Sequence, residues 1–263
     1  MSGPWLVFVG LAAGVMAGLF GIGGGVVIVP VLVVFAGFTL VKATGTSLAA
    51  IVLPVGLLGV LAYHRAKIID VRASIYLALG LLTSVAAGAW LANTLPAGLM
   101  AKLYAVFLLY VSWNFIDPVP RVQRLLGREA ALKPEPETLP RPGALVLYAI
   151  GLGGGVMAGL FGIGGGNIIV PLLVLVLGYP AKRAIATSLG ALLAPVGLPG
   201  VLYYYHAGTL DLGAAAWVAA GLFLGTVFGA RITIRLPAPT VKLLYGLFLL
   251  FVAARLALAA VSI

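Results

Sequence analysis

Two identical glycine-rich segments are the sequence's strongest candidates for chemistry. Gly14–Gly25 reads GVMAGLFGIGGG, and Gly155–Gly166 repeats all twelve residues at an offset of 141. A run such as Gly21-Ile22-Gly23-Gly24-Gly25 interrupts a helix, since each glycine costs about 1 kcal/mol in a helix interior. A helix that restarts after the break presents free N–H groups and about half a positive charge, which attract an anion. Glycine also lets a ligand approach that backbone closely. The candidate substrate-binding residues are therefore Gly23, Gly24 and Gly25, with Gly164, Gly165 and Gly166. The competing reading is that these glycines only allow tight helix contact. A dinucleotide fold is a weak match, because no strand or downstream acid fits. A phosphate loop fails, because GIGGG is followed by Val26 or Asn167 rather than by Lys-Ser/Thr.

Polar side chains stand near both copies. Thr46-Ser47 and Thr187-Ser188 are equivalent under the same offset. Their hydroxyls can donate to an oxyanion, or cap and back-bond a helix. Asn167 replaces Val26 in the second copy, and its amide offers two donors to an oxyanion or a cap to the break. Lys42 and Arg183 precede the threonines by four residues. They are expected at opposite interfaces, where they draw an anion inward or snorkel and mark topology. His64 and His206 lie one step out of register, His64 aligning with Tyr205 and His206 with Arg65, which argues against a symmetric proton relay. The six acids, Asp70, Asp117, Glu129, Glu135, Glu137 and Asp211, all fall near segment ends or in a central linker. Membrane-buried carboxylates often serve cation carriers, and a divalent-metal carrier calls for more ligands. The pattern favours anions, with no metal site and no cofactor. No GxSxG, HExxH or close carboxylate pair points to an enzyme, and the absence of cysteine removes disulfides and thiolate sites.

The elements that must hold these residues are written into composition and charge. Of 263 residues, 63% are hydrophobic and 8% charged, where a soluble domain carries about 25% charged residues. That inventory argues strongly against a water-soluble enzyme. The net charge of +10 would suggest nucleic acid in a soluble protein, but here the cations sit between apolar runs and set topology. The start, MSGPWLVFVG, has no basic n-region and is read as mature protein.

The offset of 141 continues ungapped, pairing Pro54 with Pro195, Tyr63 with Tyr204 and Asp70 with Asp211. It divides the chain into repeat 1 (1–116), a Pro-rich basic linker (117–142) with a short helix around 121–131, and repeat 2 (143–263). Each repeat holds two apolar segments that meet at the glycine break, either as a hairpin or as two short spans, then three more spans. In the first half those three lie at about 43–63, 73–93 and 98–116. An odd count per half puts 13 of the 16 Lys and Arg on one side, whereas four spans per half divides them nine to seven. The positive-inside rule prefers the first division. The expected fold is an all-α polytopic membrane protein of two inverted-topology repeats. Its linker is cytoplasmic, and both termini lie outside.

With GLFGIGGGxxxVP written twice and TSL downstream of each copy, the chain resembles the TauE/SafE family of sulfite exporters and related anion permeases, such as those for 4-toluene sulfonate uptake. The matching positions are Gly21–Gly25 with Pro30, Gly162–Gly166 with Pro171, and the pairs Thr46-Ser47 and Thr187-Ser188. The resemblance implies a multi-pass plasma-membrane carrier for sulfite, sulfonates or related small anions, with proton coupling in some members. An inverted repeat with broken helices is a recurring transporter plan, with its site near the midplane. The expected mechanism is capture of the anion by opposed helix N-termini and hydroxyls, then rocking of the two halves around that pocket. An anion channel on the same scaffold, or a non-transporting membrane assembly subunit, are the rival readings.

Overall fold

A computed structural model describes residues 3–53, 56–96 and 142–261, with further helical positions at 98, 99, 102, 106, 109, 112, 113 and 116. Residues 117–141 of the linker, with the short helix expected near 121–131, lie outside the described residues, as do Pro54 and most of the segment expected at 98–116. Everything described is helix or connection. The elements are α1 (Leu6–Phe20), α2 (Gly25–Ala36), α3 (Leu40–Val52), α4 (Leu57–Arg65) and α5 (Val71–Thr94) in the first repeat. The second repeat contains α6 (Ala144–Phe161), α7 (Gly166–Leu175), α8 (Ala181–Ala191), α9 (Leu198–His206), α10 (Leu212–Arg235) and α11 (Ala238–Val261).

The expected glycine breaks are present. α1 stops at Gly21 and α2 starts at Gly25; α6 stops at Gly162 and α7 starts at Gly166. Gly24 and Gly165 cap the restarting helices in the left-handed region, at φ +85° and +76°, which a side chain rarely adopts. The third segment of each half departs from expectation. It is not one helix over 43–63 but two, α3 and α4, bent by 49°. Its repeat counterpart is divided into α8 and α9 by residues 192–197. Pro195 lies in that gap, and proline removes a helix hydrogen bond and clashes with the preceding turn.

α5, α6 and α10 are each long and apolar enough to cross a membrane; α5 and α10, at 24 residues, would span about 36 Å. Shorter apolar helices α1, α2 and α7 flank them. Large apolar side chains cover the exterior, with Phe8 and Phe35 each 74% exposed. Such a surface suits hydrocarbon, not water.

Glycine seams join helices of opposite repeats. Gly10, Gly14 and Gly18 of α1 face Gly221, Gly225 and Gly229 of α10, backbone against backbone. A methyl group on Gly14 would stand 2.6 Å from the Leu222 carbonyl oxygen. Gly151, Gly155 and Gly159 of α6 press on α5 in the same way, the added atom on Gly155 meeting the Leu81 carbonyl at 2.6 Å. Contacts advance in the same direction along both partners, so each seam pairs parallel helices. Small residues spaced by four make such close packing, and in lipid dispersion and shape hold it together.

Candidate functional site

The two glycine breaks meet at the centre of the molecule. A Cβ on Gly23 would lie 3.4 Å from Gly164 Cα, and one on Gly164 would lie 3.4 Å from Gly23 Cα. Gly25 abuts Gly162 and Ile163, while Gly166 abuts Gly21 and Ile22. The two backbones therefore pass each other in opposite directions. The close approach explains glycine at positions 25 and 166, where an added methyl would stand 2.5 Å from Ile163 Cα and 2.6 Å from Ile22 Cα. The N-termini of α2 and α7 thus share one centre. Gly24 and Gly165 carbonyls accept the first bonded N–H groups, from Val27 and Ile28 and from Ile168 and Ile169. The N–H groups ahead of these belong to the helix end, where no intrahelical acceptor is available.

The other side of each break is a buried helix C-terminus, whose carbonyls need donors. Side chains from elsewhere in the fold supply them. Ser188 donates to the Gly21 carbonyl at 2.8 Å, and Ser47 donates to the Gly162 carbonyl at 2.7 Å. Tyr63 donates to the Gly18 carbonyl, and Tyr204 to the Gly159 carbonyl at 2.7 Å. Thr233 adds a hydrogen bond to the Leu19 carbonyl at 2.9 Å. The serine protons are committed to the breaks.

Thr46 and Thr187 are also fully buried. They accept from the backbone N–H of Asp211 (2.9 Å) and of Asp70 (3.1 Å). Each threonine thereby fixes the start of a long helix from the other repeat. Both aspartates cap those helices, Asp70 accepting from Ala73 N–H and Asp211 from Ala214 N–H, each at 3.0 Å. Ser74 strengthens one of these joints by donating to the Thr187 carbonyl at 2.8 Å. Asn167 is fully buried at the second position of α7.

The centre itself is apolar and nearly full. A cavity of about 10 Å³ lies among Leu48, Ile51, Leu81, Gly164, Leu192 and Val196, room for about one water. Leu192 and Val196 belong to the α8–α9 break, and a Cβ on Gly23 would lie 3.3 Å from Leu192, so this break joins the two glycine breaks at one point. The side chains buried among the described residues include no Asp, Glu, Lys or Arg; the polar ones are Ser, Thr and Asn.

The charged candidates sit away from it. Lys42 Nζ approaches Asp211 Oδ2 at 3.6 Å and lies 4.4 Å from the centre of the Phe38 ring. Arg183 occurs with Asp70, Arg72 and Tyr179, whose hydroxyl donates to Asp70 Oδ2 at 3.1 Å. The Tyr179 hydroxyl pKa is pushed up to about 12, by burial first and then by the Asp70 carboxylate, with Arg183 and Arg72 opposing. Lys182 Nζ donates to the Ile234 carbonyl at the far end of α10 (3.0 Å). His64 and His206 are exposed in the last turns of α4 and α9.

The sequence singles out the glycines and the hydroxyl pairs but not Tyr63, Tyr204 and Thr233. The tyrosines were visible as a repeat pair, but nothing in their spacing shows that they reach carbonyls near the ends of α1 and α6.

A chain of apolar helices with paired breaks meeting in its interior, and no charge among the buried side chains described, is built as a multi-pass membrane transporter. The family model for the sulfite exporter TauE/SafE matches residues 6–256, and the chain belongs to that family. It is similar to a probable membrane transporter protein of Methanocaldococcus jannaschii, at 28% identity over 94% of this chain and 95% of that protein. It is also similar to the probable membrane transporter protein YunE of Bacillus subtilis, at 28% identity over 97% of each chain. A probable membrane transporter protein of Haemophilus influenzae is 31% identical over 94% of this chain and 95% of its own. No solved structure matches the chain.

Proposed function

We propose that this protein is a non-enzymatic secondary transporter of a small anion, with sulfite, an organosulfonate or a related oxyanion as its substrate class. The carrying observation is the meeting of the α2 and α7 N-termini, with Gly23 against Gly164. Two helix ends supply positive potential and free N–H groups where no basic side chain is buried among the described residues. The anion binds there, near the bilayer midplane, between Gly23–Gly25 and Gly164–Asn167. Ser47 and Ser188 hold the broken backbones in place, and Thr46 and Thr187 tie them to the outer joints.

The repeats are inverted relative to each other, the linker is cytoplasmic, and both termini face the outside of the plasma membrane. Support comes from the long helix α10. It starts at Asp211, beside Lys42, and ends near Lys182, on the side that also gathers Arg183, Asp70 and the start of α5. α5 and α10 occupy equivalent places in their repeats and start from opposite ends of the molecule.

The present conformation is occluded: the centre holds about 10 Å³ and both threonine–aspartate joints are closed. The glycine seams favour a division of the moving parts that differs from the sequence halves. α1 is locked to α10 and α5 to α6, so each rigid unit contains a helix from both repeats. Transport is a rocking of these mixed units that opens one joint while the other stays shut.

Counterflow in liposomes reconstituted with the protein, using sulfite, thiosulfate, taurine and acetate, tests the reading. Saturable uptake accelerated by internal substrate is the expected result. Conductance that does not saturate assigns a channel, and the absence of any anion flux refutes transport of this class.

A further inference from the structure

The two ends of the molecule carry equivalent residues but different pairing. At one end Lys42 meets Asp211 at 3.6 Å, and Phe38 lies beneath the ammonium. At the other end the repeat places Arg183 opposite Asp70, and Tyr179 stands where Phe38 would be. Tyr179 takes Asp70 Oδ2 for itself at 3.1 Å, and Ala73 N–H holds Oδ1 at 3.0 Å. Among the described residues Arg183 then has no carboxylate within ion-pair distance. Its buried Nε also has no hydrogen-bond partner among the described residues. A buried donor on a permanently charged group is costly to leave unmet.

Beside this arrangement opens a cavity of about 270 Å³, lined by Asp70, Arg72, Ala73, Pro142, Leu147 and Tyr179. Pro142 ends the linker, so the cavity lies at the linker-side mouth. Arg72 lines this cavity and Arg183 stands outside the lining, both close enough for their charge to act on Tyr179. Two positive charges are thus set against one carboxylate already engaged by a phenol and a backbone N–H. Guanidinium forks match the spaced oxygens of an oxyanion.

We propose that Arg72, with the unneutralised charge of Arg183 close by, forms a capture site for a small oxyanion at the linker-side mouth, and that Tyr179 creates it by keeping Asp70 from neutralising Arg183. At the opposite mouth Lys42 is paired with Asp211. The substrate class rests on the transport reading above; the site itself is tested by equilibrium binding.

The experiment is a thermal-shift titration of the purified full-length protein with sulfite. Wild type is expected to show a saturable rise in melting temperature. R183Q and R72Q should each raise the half-saturating sulfite concentration tenfold or more, and R183K should recover part of the loss. R231Q, which removes an exposed cation away from the cavity lining, should change it less than twofold. R72Q keeps the test decisive if R183Q melts far below wild type without ligand. The proposal is overturned if wild type shows no sulfite-dependent shift, if R183Q and R72Q match wild type, or if R231Q weakens binding equally. If counterflow succeeds while R183Q and R72Q titrate like wild type, capture fails and the carrier stands. If the arginine variants weaken binding but no flux is seen, the reverse holds.

Discussion

Replacing Ser47 or Ser188 by alanine separates a structural role for these hydroxyls from direct contact with substrate. Ser47 gives the Gly162 carbonyl its one hydrogen bond among the described residues, at 2.7 Å, and Ser188 does the same for Gly21 at 2.8 Å. Both serines are fully buried, so water cannot replace the lost donor. Leaving such a carbonyl unmet costs about 1–3 kcal/mol. For a chain of this size 1 kcal/mol corresponds to about 2–4 °C, which places the expected drop for each single variant at roughly 2–12 °C. The double variant should depart from the sum, because the two breaks touch and neighbouring sites couple. The assay is melting of the ligand-free protein in detergent at a fixed scan rate, run beside sulfite counterflow. If S47A and S188A melt like wild type while the KM for transport rises, the hydroxyls face substrate and the carbonyl-capping argument is wrong.

Other outcomes follow from the same geometry. Gly25→Ala, whose methyl would press on Ile163 Cα, should lower the melting temperature and abolish flux; Gly153→Ala meets nothing within 4 Å and should leave both at wild-type values or raise the melt slightly. Tyr179 has a folded-state pKa raised to about 12 from an ordinary value near 10. Its hydroxyl should therefore stabilise the fold at a constant level below about pH 10 and lose that contribution between about pH 10 and 12, read as the melting difference between wild type and Y179F. The chain has no cysteine, so single cysteines report sidedness directly. Arg65→Cys and His206→Cys, at equivalent and exposed positions, should react with a membrane-impermeant maleimide from opposite sides; labelling of both from one side would exclude the inversion.

The duplication was legible because identical residues recur without a gap, and the glycine runs were legible because few other residues break a helix so sharply. The direction in which Ser47 and Ser188 donate was not legible. A hydroxyl beside a break can serve a ligand or the orphaned carbonyls, and only the fold shows which lies within reach. The second interruption, at 192–197, had a signal in Pro195, which pairs with Pro54 under the offset and also breaks a helix. The cross-repeat seams had a signal too, in glycines spaced by four at 10, 14 and 18 and at 221, 225 and 229. Spacing shows that a helix has a bare face; it cannot name the helix that fills it.

The α1–α10 seam has a consequence for biosynthesis. α1 leaves the ribosome about 200 residues before its partner, a delay of about 10–40 s at ordinary elongation rates. During that interval its bare glycine stripe is in the bilayer without the surface that completes it. Early insertion must then be tolerated as a loose, lipid-solvated state, and the last long helices to be translated lock the earlier ones. Truncation after the linker should yield a product that inserts but is cleared by membrane proteases, because each half holds only one face of both seams.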